Sequence, residues 1–130
     1  KDKSPTITII QRIDKSGLEY IFGFFTSIPF EMKNNDGCKD KHCFLYGLHP
    51  CKMVLKLKDG HVNSPIIWHH EDILFHIGWC GSIYIFSDAN TRVGSNAHYG
   101  YSFAGDVSEL SGTNDKFFVD DIETWHIKKN

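Results

Sequence analysis

The sequence predicts an all-β fold, a sandwich or a barrel. Three observations predict it. Apolar and polar residues alternate with a period of two over several short stretches, as in strands with one buried face. Clusters of Gly, Pro, Asn and Asp separate those stretches, and no helical period runs through the chain. Ten Phe, five Tyr and three Trp favour pleated, half-buried surfaces.

Thr6 to Ile13 reads as the first strand. Asp14-Lys-Ser-Gly17 is a turn in which Gly17 supplies a positive φ, and Leu18 to Thr26 returns as the second strand of a hairpin. Pro29, Asn34-Asn-Asp-Gly37 and three lysines make Ile28 to Lys41 a loop. Cys43 to Leu48 is a short apolar strand ended by His49-Pro50. Cys51 to Lys58 sets Met53, Leu55 and Leu57 against Lys52, Lys56 and Lys58, a strand with one wet face, closed by a turn at Lys58-Asp-Gly60. Pro65 to His69, Asp72 to Ile77, Ser82 to Phe86 and Phe117 to Ile127 complete the set. The last places Phe118, Asp120, Ile122 and Thr124 on one face, and Phe117, Val119, Asp121, Glu123 and Trp125 on the other.

A chain of 130 residues fits one domain, 1–130, with a core of its own. A net charge of −2 carries no basic footprint for nucleic acid. No apolar stretch approaches the roughly 20 residues of a membrane helix, and no signal-peptide pattern opens the chain. Cys38, Cys43, Cys51 and Cys80 are too sparse for a disulfide scaffold, so reduced thiols and a cytoplasmic location are expected.

Three groups of residues bear on chemistry. Cys38, His42, Cys43, His49 and Cys51 lie close in sequence, but their C-x4-C and H-x-C spacings are not the paired C-x2-C knuckles of structural zinc sites. No metal and no cofactor is expected. His69-His70-Glu71-Asp72 with His76 lacks both the spacing and the helix of an H-E-x-x-H motif. No G-x-S-x-G elbow or phosphate-cradling glycine loop occurs, so no catalytic residue is assigned. The long segment from Ser87 to Asn114 is the binding candidate. It sets Arg92, His98 and Tyr99 among Gly, Ser and Asn, a composition of adaptable binding surfaces, while Phe103 and Leu110 are expected in the core.

The order of segments resembles that of the TLDc domain, the module of the eukaryotic oxidation-resistance proteins. The matching stretches are Ser4-Pro-Thr-Ile-Thr-Ile-Ile-Gln-Arg12, Tyr20-Ile-Phe-Gly23-Phe-Phe-Thr-Ser27-Ile-Pro-Phe30, Cys43-Phe-Leu-Tyr-Gly-Leu48, Gly78-Trp-Cys-Gly-Ser-Ile-Tyr-Ile-Phe-Ser-Asp88 and Phe117-Phe-Val-Asp-Asp-Ile-Glu-Thr-Trp125. Phe30 stands where the pattern has Trp, Trp79 and Cys80 split its double glycine, and its opening helical segment has no counterpart here.

The resemblance implies a two-sheet antiparallel β-sandwich with few short helices. It also implies a non-enzymatic protein-interaction module linked to oxidative-stress resistance, with subunits of the vacuolar proton pump (V-ATPase) as partners. Gly23, Gly78, Glu123 and Trp125 fall on its motif positions. Glu123 and Trp125 are expected to form a buried latch that closes the sandwich, for which Trp125→Ala would cost about 3–5 kcal/mol. Two alternatives stand beside this reading. One is a carbohydrate- or small-ligand-binding sandwich using exposed Trp68, Trp79 or Tyr99; the other is an enzyme whose site has no recognised motif.

Overall fold

The computed structural model describes residues 5–28, 37–70, 73–78, 82–88, 94–97 and 102–128. Its strands in chain order are β1 (Thr6–Ile13), β2 (Glu19–Thr26), β3 (Cys38–Lys39), β4 (Phe44–His49), β5 (Met53–Lys56), β6 (Pro65–His70), β7 (Ile73–Ile77), β8 (Ile83–Phe86) and β9 (Asp121–His126). Among the described residues one four-residue α-helix, α1 (Ser108–Ser111), precedes β9, and a three-residue 3-10 turn spans Asp59–His61.

β-branched and aromatic residues on both faces of β1 and β2 build the first hairpin. Thr6, Thr8 and Ile10 point inward on β1, and Phe22, Phe24 and Thr26 on β2, with Ile10 paired to Phe22. The turn forms as its sequence dictates. Gly17 takes φ 91°. The Asp14 carboxylate accepts from the Ser16 hydroxyl and from the Ser16 and Leu18 amides. These bonds, the Ser16 hydroxyl foremost, hold the Asp14 carboxyl below its ordinary pKa.

Antiparallel pairing extends the hairpin to a five-stranded sheet in the order β5-β4-β2-β1-β9. A second, four-stranded sheet runs β3-β6-β7-β8, also antiparallel. The two share one core. Ile10, Phe22, Phe24 and Leu45 of the first sheet pack with Ile67, Phe75, Ile77 and Ile85 of the second. Phe24 meets Phe75 edge to face, ring centroids 5.0 Å apart. The fold is therefore the two-sheet sandwich, and the barrel is set aside.

The segment from Ser87 to Asn114 is stitched to both sheets. Asn96 bridges to Tyr84, Ser95 to Phe117, and Phe103 to Leu57. Phe103 and Leu110 are buried as the sequence suggested. At the far end of β1 the Arg12 guanidinium donates to the Ser111 carbonyl at 2.6 Å, receiving the C-terminus of α1. It stands 5.2 Å from the Tyr20 ring centroid and 5.3 Å from that of Phe117.

Two elements lie where the sequence predicted only loop, β3 inside Ile28–Lys41 and α1 inside Ser87–Asn114. The sequence also missed Asp40, which follows β3 and is 3% exposed. Its carboxylate accepts from the Ser27 amide at 2.7 Å, the Ser27 hydroxyl at 2.5 Å and the His42 amide at 3.1 Å. It ties the end of β2 to the start of β4. Beside it, burial pushes the Cys43 thiol well above its ordinary pKa, and the Asp40 charge adds to the shift. Asp40→Ala removes a charged acceptor from three donors, and denaturant titration should show a loss of about 2–3 kcal/mol. A loss below about 0.5 kcal/mol, the scale of an ordinary surface change, would mean that water replaces the carboxylate freely.

Candidate docking face

The hydrogen-bond register of the five-stranded sheet assembles its outer face row by row. One row runs Lys56, Phe44, Phe25, Ile7 and Trp125 from β5 to β9. The next runs Val54, Tyr46, Gly23, Ile9 and Glu123. Beyond these lie Leu48, Ile21, Gln11 and Asp121, with Lys52 at the β5 edge. Residues opposite one another in an antiparallel pair share a face. Two rows of apolar side chains therefore lie on the side turned away from the core.

Much of this surface is open. Trp125 and Val54 are each 58% exposed and Leu48 is 48% exposed. An open groove of about 550 Å³ runs over Ile7, Ile9, Phe44, Tyr46, Leu48 and Val54. Exposed apolar surface that is contiguous, rather than scattered, marks interaction sites. Phe25 and Phe44 stack at 5.0 Å with an interplanar angle of 15°, giving the face a flat centre.

Gly23 makes that flatness possible. The Tyr46 side chain crosses over it and its hydroxyl donates to the Thr8 carbonyl of β1 at 2.7 Å. A Cβ at Gly23 would lie 1.8 Å from the Thr8 oxygen and 2.7 Å from the Tyr46 hydroxyl. Only glycine fits beneath the tyrosine. Burial pushes the Tyr46 pKa up to about 12, so the phenol stays a donor.

Glu123 and Trp125 are not the buried latch. Trp125 stands out in solvent on the outer face, and its Nε1 donates to Glu123 Oε1 at 3.0 Å, an exposed contact. The reason is a change of step. Phe117 and Val119 are buried, but the next inward residue is Ile122, paired to Ile10. Between them the Asp120 amide donates to the Gln11 carbonyl at 2.8 Å, while its carboxylate accepts from the Ile13 amide at 2.7 Å. The chain joins β1 there and takes three residues instead of two between the inward Val119 and Ile122, which turns Glu123 and Trp125 outward. The regular strand accordingly starts at Asp121 rather than Phe117.

The flanks of the face carry opposite charge. Lys52 and Lys56 are exposed at the β5 edge, and Asp121 and Glu123 at the β9 edge. Glu19, at the outer end of β2, is engaged by the Gln11 amide.

Gly78 follows β7 with φ 88°, where a Cβ would meet the Ser82 hydroxyl at 2.5 Å, so its role is the turn. Arg92, His98 and Tyr99 lie outside the described residues, as do Trp79 and Cys80. Trp68 is half-buried, tilted against His76 at 4.9 Å in a cross-strand row that continues to Tyr84. It is a packed member of that row rather than a free stacking platform. Cys38, Cys43 and Cys51 do not converge. Among the described residues no three His, Cys, Asp or Glu side chains gather where a metal ion could be held. Nor is any described helix long and apolar enough to cross a membrane.

A family model described as the TLDc domain matches residues 1–128. No curated protein matches the chain significantly.

Proposed function

The chain belongs to the TLDc domain family, and from that premise we propose that it acts without catalysis, as a docking module that captures a protein partner on the outer face of its five-stranded sheet. The family as a whole is linked to oxidative-stress resistance. The finer reading assigns the chain to the cytoplasm and makes subunits of the vacuolar proton pump its partner, as the resemblance implies.

The observation that carries the reading is the outer face itself. Trp125, Val54 and Leu48 are exposed there beside a continuous apolar row. A large exposed aromatic with an apolar body and a polar N–H suits a protein interface better than open water.

The test is capture of the purified soluble sector of the proton pump on the immobilised domain. Val54→Asp puts a charge into the apolar row at a position the fold does not need buried. It should weaken capture by about tenfold or more, which is about 1.4 kcal/mol, while melting with the parent. Capture unchanged by Val54→Asp would remove the docking site from this face.

A further inference from the structure

We propose that this face also accepts a second copy of the same chain, packed sheet to sheet about a two-fold axis that runs along β2. The proposal rests on reading the outer face as a docking surface, and it names an occupant for it.

The charge pattern argues for it. In the strand order β5-β4-β2-β1-β9, β2 is the middle strand. Lys52 and Lys56 lie two strands to one side of it, and Asp121 and Glu123 two strands to the other. A two-fold axis along β2 turns one copy over and lays its β5 edge on the partner's β9 edge. Row for row, Lys52 then faces Asp121 and Lys56 lies one row from Glu123 at both ends of the contact, and the apolar rows meet between them. Glu19 of β2, held by the Gln11 amide, stands near its own copy at one end of the axis. An isologous interface requires a patch that complements itself under its own rotation. A face with one charge sign on each flank does so about this axis alone. Rotation about an in-plane axis perpendicular to the strands would set lysine on lysine and carboxylate on carboxylate.

The shape is compatible. Gly23 lies on the axis with the Tyr46 ring laid across it, so nothing tall stands at the centre. Packed sheets lie about 10 Å apart and cross at about 30°, which leaves room for one layer of interdigitated side chains from each copy.

The area sets the strength. Five strands at about 4.8 Å spacing, by about six residues of strand, give roughly 400–500 Å² per copy, or about 800–1,000 Å² in all. That is at the low end of specific interfaces, the range of transient complexes. The expected dimer is therefore reversible, micromolar or weaker, and sensitive to salt.

Sedimentation equilibrium from about 1 μM to about 1 mM covers the affinities of such an interface. The parent should self-associate in low salt, and less so at about 0.5 M, where charges are screened within a few ångströms. Two charge-reversed variants test the axis. Lys52→Glu/Lys56→Glu makes both flanks acidic, and Asp121→Lys/Glu123→Lys makes both basic. Each alone should lose at least about tenfold in self-association, because like charges then oppose at both ends. Mixed in equal amounts they should form a heterodimer at least as tight as the parent dimer.

A parent that stays monomeric throughout overturns the proposal. So do variants that self-associate like the parent, or a mixture that stays monomeric. If either variant fails to fold, Val54→Asp tests the same contact and should abolish self-association. A monomeric parent whose Val54→Asp variant loses pump capture would keep the docking face and refute the second copy. A heterodimer from the mixture, with pump capture indifferent to Val54→Asp, would keep the second copy on this face and take the pump off it.

Discussion

Gly23→Ala should lower the stability of the domain by about 3 kcal/mol or more, beyond the usual range for overpacking by one methyl. The added Cβ would sit 1.8 Å from the Thr8 carbonyl oxygen, which is backbone of the neighbouring strand. That oxygen also accepts the Tyr46 hydroxyl, and the Thr8 side chain is tied to Thr124 at 3.1 Å. Relief requires β1 and β2 to separate where Ile9 pairs with Gly23, or Tyr46 to leave its acceptor. Either way a buried polar contact is lost together with the packing. For a chain of this length the melting temperature should fall by roughly 10 °C. A variant melting within about 2 °C of the parent, less than about 1 kcal/mol, would show that the sheet opens at Gly23 at little cost.

Trp125→Ala should show the opposite division. The side chain is 58% exposed and makes one exposed hydrogen bond, to Glu123. Its removal should cost less than about 1 kcal/mol of stability, as surface substitutions do. Capture of the pump sector should nonetheless fall by about 2 kcal/mol or more, the scale of an interface hot spot. Calorimetric melting beside the capture assay separates the two. A large drop in melting temperature would restore the latch, and an unchanged capture would take Trp125 out of the docking face.

The strands legible in the sequence were those rich in β-branched and aromatic residues beside a clear turn. β1 and β2 qualify because such runs flank the Asp14–Gly17 turn, although their inner face was not legible: β1 buries Thr6 and Thr8 and turns Ile7 and Ile9 outward. The wet face of β5 was legible from its lysines, although Val54 joins Lys52 and Lys56 on it. β3 has two residues and α1 has four, too few for any period to register.

The closing strand failed for a different reason. Alternation from Phe117 to Trp125 is continuous on paper, but taken literally it buries Asp121 and Glu123 beside Phe117 and Val119. Two buried carboxylates without partners are costly. The Asp120-Asp121 doublet was therefore the signal that the chain changes step. The docking face was only half visible. Each strand showed its own outward apolar residues, but only the register aligns Trp125, Ile7, Phe25 and Phe44 in one row. Asp40 gave no signal, because a lone acid among lysines reads as solvated until the fold brings Ser27 to it.

The change of step before β9 has a consequence for how this chain tolerates insertion and deletion. Most connections absorb an extra residue by bulging into solvent. The link from Val119 to Asp121 instead sets which side chains of the final strand are dry, because inward and outward positions alternate with odd and even count. Losing one residue there, with the strand still held beside β1, would move its pairing by one place. Trp125 would then take an inner position and Ile122 or Thr124 an outer one. Such a variant could keep its nine described strands and its length to within one residue, yet present a different surface. Length changes in this short link should therefore be rarer among functional relatives than changes of residue type, and where they occur they should come in pairs.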